Sequence, residues 1–142
     1  MPTEHVQGRI PVLRRFIAGY RWDGIEVEPY KLRTYRGGEF RGASRQVLVG
    51  KRGERVRFHV RYFELEPRGF TSFELHRHSH VVIALRGRGR VRVGERQYQM
   101  RRLDTIYIGP EQPHQLAALG RGPFGFLCIV DARRDRPRAV IE

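Results

Sequence analysis

Two short stretches concentrate the side chains that bind metals: ELHRHSH, which holds Glu74, His76, His78 and His80, and PEQPHQ, which holds His114. Imidazole nitrogens and carboxylate oxygens take a divalent ion at about 2.0–2.2 Å, so a site needs several of them turned to one point. In a strand, residues two apart face the same way, which presents Glu74 and His76 together. A tight turn over Arg77 to Ser79 then returns His80 on the next strand. His114 follows a Pro-containing loop far along the chain, and only a barrel that folds the two regions together unites all four. His78 has the parity of Glu74 and His76, but the turn breaks the alternation and assigns it to the rim of the pocket. His5 and His59 stand apart from both stretches and are read as histidines that satisfy structural hydrogen bonds.

The elements that must do this positioning read as strands. Gly and Pro punctuate short runs rich in Val, Ile, Phe, Tyr and Leu, no stretch keeps a convincing helical period, and no internal repeat is present. RQVLVG and RVRFHVRYFELEP form two strands across a turn at Gly50 to Gly53, with a second turn at Pro67 to Gly69. FTSFELH is a further strand. In HVVIALRG the apolar residues do not alternate with polar ones, which predicts cover on both faces. GRVRVGERQYQMRRLDTIYIGP supplies a hairpin turning near Gly94 and Glu95, then a strand ending at Gly109 and Pro110, and FGFLCIVDA is the last strong strand. Short, regularly spaced strands favour a sandwich or barrel. Towards the N-terminus, Val12 to Tyr20 suits either a strand or a helical turn, and Trp22, Tyr30 and Tyr35 are expected to anchor an arm.

Placed on these strands, the metal-binding residues resemble the two motifs of the cupins. The first motif runs His, one residue, His, a short loop, Glu, six residues, Gly. With Gly87 as the final glycine, His80 stands at the glutamate position, His76 at the second histidine and Glu74 at the first. The ligand types are permuted, yet the set is still three imidazoles and one carboxylate. LDTIYIGPEQPH resembles the second motif, with Asp104 in the acidic turn, then Pro110, then His114 as the ligand histidine; Leu103 replaces the expected glycine and Ala118 the expected asparagine. The likeness extends from about Phe58 to Val130 and is nearest to the small single-domain cupins.

That resemblance implies an all-β fold, the cupin double-stranded β-helix or jelly-roll barrel. Residues 1–45 would be an N-terminal arm with the first strands, 46–131 the barrel and 132–142 a surface tail, in one domain overall. It further implies one divalent transition metal on Glu74, His76, His80 and His114, or on the three histidines with Glu74 hydrogen-bonding a ligand or water. Mn(II) or Fe(II) is preferred for such a set, ahead of Zn(II), Ni(II) or Cu(II). A metal-dependent oxygenase, a dioxygenase acting on a small organic substrate in the barrel, is the first function implied. A small-ligand sensor without catalysis is the alternative.

Around the metal, Phe126, Cys128 and Val130 share one parity in FGFLCIV and are candidate pocket walls, although Cys128, the only cysteine, reads first as a small buried hydrophobe. Arg61 either points inward and clamps a carboxylate or carbonyl, or faces solvent. The formal charge of +13 raises nucleic-acid binding as a third function, but the basic residues are scattered and, apart from Lys31 and Lys51, are all arginine. Arg86, Arg88, Arg90 and Arg92 recur at every second position and would share one strand face. The 142 residues suffice for one domain, and no apolar run is long enough to span a bilayer, so the expectation is a cytoplasmic protein with a small-molecule partner and no membrane or nucleic-acid partner. The arm, with its aromatic residues, suits exchange between two copies. Light scattering should therefore give a homodimer, a mass twice the 16.7 kDa of one chain.

Overall fold

The computed structural model describes residues 11–31 and 38–140. His5 and Tyr35 lie outside the described residues. Among those described there are strands and no helix, and hence none long and apolar enough to cross a membrane. The strands are β1 (Phe16–Ile17), β2 (Arg21–Trp22), β3 (Glu28–Pro29), β4 (Arg41–Val49), β5 (Phe58–Phe70), β6 (Glu74–Leu75), β7 (His80–Arg86), β8 (Arg88–Val93), β9 (Arg96–Met100), β10 (Thr105–Ile108), β11 (His114–Leu119), β12 (Phe124–Asp131) and β13 (Arg138–Ala139).

All ladders are antiparallel and form a nearly closed barrel. One wall runs β10-β7-β12-β5-β4-β3; the other runs β9-β8-β11, with β6 and β13 beyond β11. The long β5 belongs to both walls, pairing with β12 from Phe58 to Leu65 and reaching β11 through Phe70↔Ala117. The bend between these two parts falls at Pro67 to Gly69, where Arg68 has a φ of 67°. The residues that predict a turn here instead make a corner inside one continuous strand, because the ladder resumes on the other wall after the bend. FTSFELH likewise yields only the short β6, since Thr71 and Ser72 turn their hydroxyls to Leu116 N and to Glu74.

Alternation sorts the side chains. Val82 and Ala84 of β7 and Phe124, Phe126, Cys128 and Val130 of β12 point into the barrel core, where they meet Phe63 and Leu65 of β5. Val81, Ile83 and Leu85 on the other face of β7 are half-buried, so the continuous apolar run earns full cover on one face only. Tyr62 is fully buried on the outer face of β5. The N-terminal arm covers it: the β1–β2 hairpin, not a helical turn, sets Trp22 at 5.2 Å and Tyr20 at 6.0 Å from the Tyr62 ring. Tyr30 enters the core, 5.8 Å from Phe63. Arg88 and Arg90 are exposed on β8 as the alternation predicts, whereas Arg86 closes β7 with a 2.9 Å ion pair to Glu64.

Gly87, between β7 and β8, has a φ of 68°, and a Cβ there would lie 2.1 Å from the carbonyl oxygen of Pro123. Gly94 has a similar φ of 60° but open space around it. Gly94→Ala should therefore cost roughly 1 kcal/mol of backbone strain, and Gly87→Ala about 3 kcal/mol or more because a backbone carbonyl must also move. Urea unfolding of the two variants checks this; equal costs would show that the close approach at Gly87 relaxes freely.

Candidate metal centre

Three histidines meet at one end of the barrel. His80 is the first residue of β7 and lies opposite Val130 on β12 and Ile108 on β10. His114 is the first residue of β11, opposite Glu74 on β6 and Val93 on β8. His76 follows β6 in the turn that leads to β7. Their ring centroids are 4.6 to 5.0 Å apart, with planes inclined by 63° to 72°. One ligand nitrogen from each lies within 4.8 Å of the others.

Two hydrogen bonds hold the turn that carries His76: Glu111 N, in the loop before His114, donates to His76 O at 2.7 Å, and Asp135 of the tail accepts from Arg77 N at 2.9 Å. Asp135 also accepts from the backbone and the ring of His78, at 3.2 and 3.0 Å. The tail after β12 thus pins the turn that carries His76.

The protonation pattern suits a metal. His76 Nδ1 is 2.7 Å from His78 O and His114 Nδ1 is 2.8 Å from Gln112 O. A carbonyl only accepts, so each Nδ1 carries the proton and each Nε2 presents a lone pair. His80 Nδ1 lies 3.2 Å from Cys128 Sγ, while its Nε2 is buried and has no hydrogen-bond partner. A buried nitrogen left unpaired costs about 1–3 kcal/mol, and a bound ion would remove that cost. Donor set and orphaned nitrogen both fit a divalent ion held through imidazole.

Glu74, expected as a fourth ligand, lies outside the three-histidine group. Its Oε2 accepts from Ser72 Oγ at 2.6 Å and from Lys31 Nζ at 2.7 Å, which places it beside the imidazoles as a charge partner of Lys31. His78 stacks flat on His76 at 3.6 Å, turned away to Asp135, and lines the cavity as a rim residue does. His59 accepts from Arg134 Nη1 at 2.9 Å, a structural hydrogen bond.

The cavity holds about 330 Å³, enough for one small molecule. Arg61, Phe126 and Cys128 line it as expected, with Arg61 turned inward and opposite Cys128 in register. Val130, expected on the same wall, is buried in the core and does not line the cavity. Burial pushes the Cys128 thiol up, against the pull of Arg61. Sequence reasoning missed Lys31, Arg45, Arg134 and Arg136, which all line the cavity. Lys31 alone carried a signal, as one of two lysines in an arginine-rich chain.

Burial, then the neighbouring His114 and His78, holds His76 down at about 4, and burial pushes His80 lower still. In the unfolded chain each takes up a proton near 6.5, but in the fold only well below that. The unfolded chain binds more protons in between, so the stability present above 6.5 is lost as pH falls through this window. The melting temperature of metal-free protein should drop steadily from about pH 7 to about pH 4.5, and less steeply in His80→Gln. A slope unchanged by that substitution would place the acid sensitivity elsewhere.

Residues 61–130 match the family model Cupin_2, the cupin domain. Over 129 residues the chain is 36% identical to 1-methylthio-D-xylulose 5-phosphate methylsulfurylase of Rhodospirillum rubrum, covering 91% of this chain and 80% of that protein. The crystal structure of a cupin-2 domain from Rhodospirillum rubrum superposes with a TM-score of 0.77 at 36% identity, over 92% of this chain and 84% of the other. That of a cupin 2 conserved barrel domain protein from Rhodopseudomonas palustris does so with a TM-score of 0.79 at 37% identity, over 92% and 87%. The antiparallel barrel, the two motifs and these matches agree: the chain belongs to the cupin family.

Proposed function

We propose that this protein is a metal-dependent enzyme acting on a small phosphorylated keto sugar that carries a methylthio group, as the name of its Rhodospirillum rubrum relative describes. The observation that carries this reading is the convergence of one ring nitrogen from each of three histidines on a cavity whose other charged lining is mostly cationic. The likeness to that relative extends over both motif regions and most of both chains, which supports a shared chemistry.

His76, His80 and His114 would hold the ion, with Mn(II) or Fe(II) preferred. When bound, such an ion supplies Lewis-acid polarisation of a substrate oxygen. The protein's own contribution is placement. Backbone carbonyls at His78 and Gln112 keep two of the imidazoles in the ligating tautomer, and Glu74 balances Lys31 beside them. Phe63, Phe126 and Leu116 keep water from the inner wall. That apolar wall also favours a second reading, an oxygenase using the same imidazoles.

Elemental analysis of protein purified without a metal-affinity tag should find close to one transition metal per chain, lost in His76→Ala and in His114→Ala and kept in Glu74→Gln. Turnover of 1-methylthio-D-xylulose 5-phosphate should fall about 100-fold or more in both histidine variants, with the fold intact by circular dichroism. Oxygen uptake coupled to substrate loss would favour the oxygenase instead. A wild type that takes up no metal after reconstitution would overturn both.

A further inference from the structure

The charged side chains lining the cavity are unequally satisfied. Lys31 is paired with Glu74 at 2.7 Å and Arg45 with Glu28 at 2.8 Å. Among the described residues no carboxylate pairs with Arg61, Arg134 or Arg136, which line the same cavity. Arg61 is the extreme case. Its Nε is buried without any hydrogen-bond partner, and its only polar contact is a weak one from Nη2 to Cys128 Sγ at 3.6 Å. The guanidinium lies over the Phe63 ring at 4.8 Å, which holds its plane while leaving the edge with its donors unspent.

Arg134 reaches the same end of the cavity from the tail. Its Nη1 donates to Asp131 O and to His59 Nδ1, both at 2.9 Å, so one arm of the fork is anchored and the rest is available. Burial, followed by the Arg61 and Arg45 charges, pushes Arg134 below its usual value. Like charges have therefore been gathered here, and among the described residues no carboxylate pairs with Arg61 or Arg134. A half-buried guanidinium whose Nε has no partner, beside an exposed one that no carboxylate among the described residues pairs, makes a site shaped for an incoming anion.

The separation from the histidines is one side chain. Cys128 Sγ lies 3.2 Å from His80 Nδ1 on one side and 3.6 Å from Arg61 Nη2 on the other. A molecule filling the 330 Å³ cavity would thus meet both the imidazoles and, close by, the guanidiniums.

We infer that Arg61 of β5 and Arg134 of the C-terminal tail form a seat for a phosphate monoester, which fixes the substrate's phosphorylated end while its other end faces the three histidines. Two planar forks match the charge and the several acceptor oxygens of a phosphate dianion better than those of a single carboxylate. The inference rests on the proposed sugar-phosphate substrate for its orientation, but the seat itself is testable without turnover. The tail then has two tasks, since Asp135 pins the His76 turn while its neighbour Arg134 binds ligand.

Calorimetric titration with inorganic phosphate tests this on metal-loaded wild type, Arg61→Gln and Arg134→Gln, and on His114→Ala, which lacks the metal. Wild type should bind phosphate at one site, the two arginine variants should each bind about 10-fold or more weakly, and His114→Ala should bind as wild type does. Because Arg61 is half-buried, melting curves accompany the titrations, and Arg134→Gln, on the exposed tail, carries the test if Arg61→Gln does not fold. No binding to wild type, undiminished binding to folded arginine variants, or binding lost only in His114→Ala would each overturn the seat; the last would put phosphate on the metal. Failure to turn over the methylthio sugar, with this phosphate pattern intact, would count against the proposed reaction and leave the seat standing.

Discussion

Three imidazoles within 4.8 Å of one another, buried at the end of a barrel, can coexist only if none is charged, and the surroundings are built around that constraint. Backbone carbonyls accept from two of the Nδ1 atoms, so the remaining lone pairs turn towards a common point. Burial keeps protons off the rings at neutral pH, the state in which they bind a metal. The cationic side chains that share the cavity reinforce this, since a further positive charge on a histidine would be repelled.

Geometry of this kind requires strands from both walls to be held in one register. The long β5 does most of that work by turning a corner at Pro67 to Gly69 and pairing with β12 before it and β11 after it. A corner inside one strand ties the walls through a covalent chain, and a shift of either wall would break hydrogen bonds on both. The close approach of Gly87 to Pro123 locks the β7–β8 connection to the chain entering β12. The tail adds a third tie through Asp135, which joins the His76 turn to the segment carrying Arg134 and Arg136. Metal-binding turn and cationic end are in this way mechanically linked.

Much of the site was legible because its residue types are uncommon and its spacing obeys strand parity. Histidines cluster rarely, and His76, His80 and His114 fall at positions that a barrel must bring together. Phe126 and Cys128 shared a parity that alternation could read, whereas the inward direction of Arg61, opposite Cys128 on the neighbouring strand, was left open by its sequence. Val130 obeyed the same parity yet fell in the core, because parity assigns a face and not a depth along the barrel axis. Glu74 was expected either as a ligand or as a group hydrogen-bonding a ligand or water, and the fold adds partners that spacing does not reveal, a lysine from the arm and a serine hydroxyl on its Oε2. The turn expected at Pro67 to Gly69 became a corner, since local residue preferences register a bend without telling whether pairing resumes after it.

By itself the sequence determined the all-β character, the inward faces of the strands and the identity of the three imidazoles, all of which depend on residues close together or on a period of two. Tertiary structure alone decided which charges stand unneutralised in the cavity. Lys31 meets Glu74, Arg45 meets Glu28, and Arg61 and Arg134 come to line one cavity, across gaps in sequence that no local pattern spans. Whether an arginine in so basic a chain is a solvated surface charge or an unspent donor facing a cavity depends on what the fold packs beside it, because its electrostatic energy is set by neighbours and burial and not by its place in the chain.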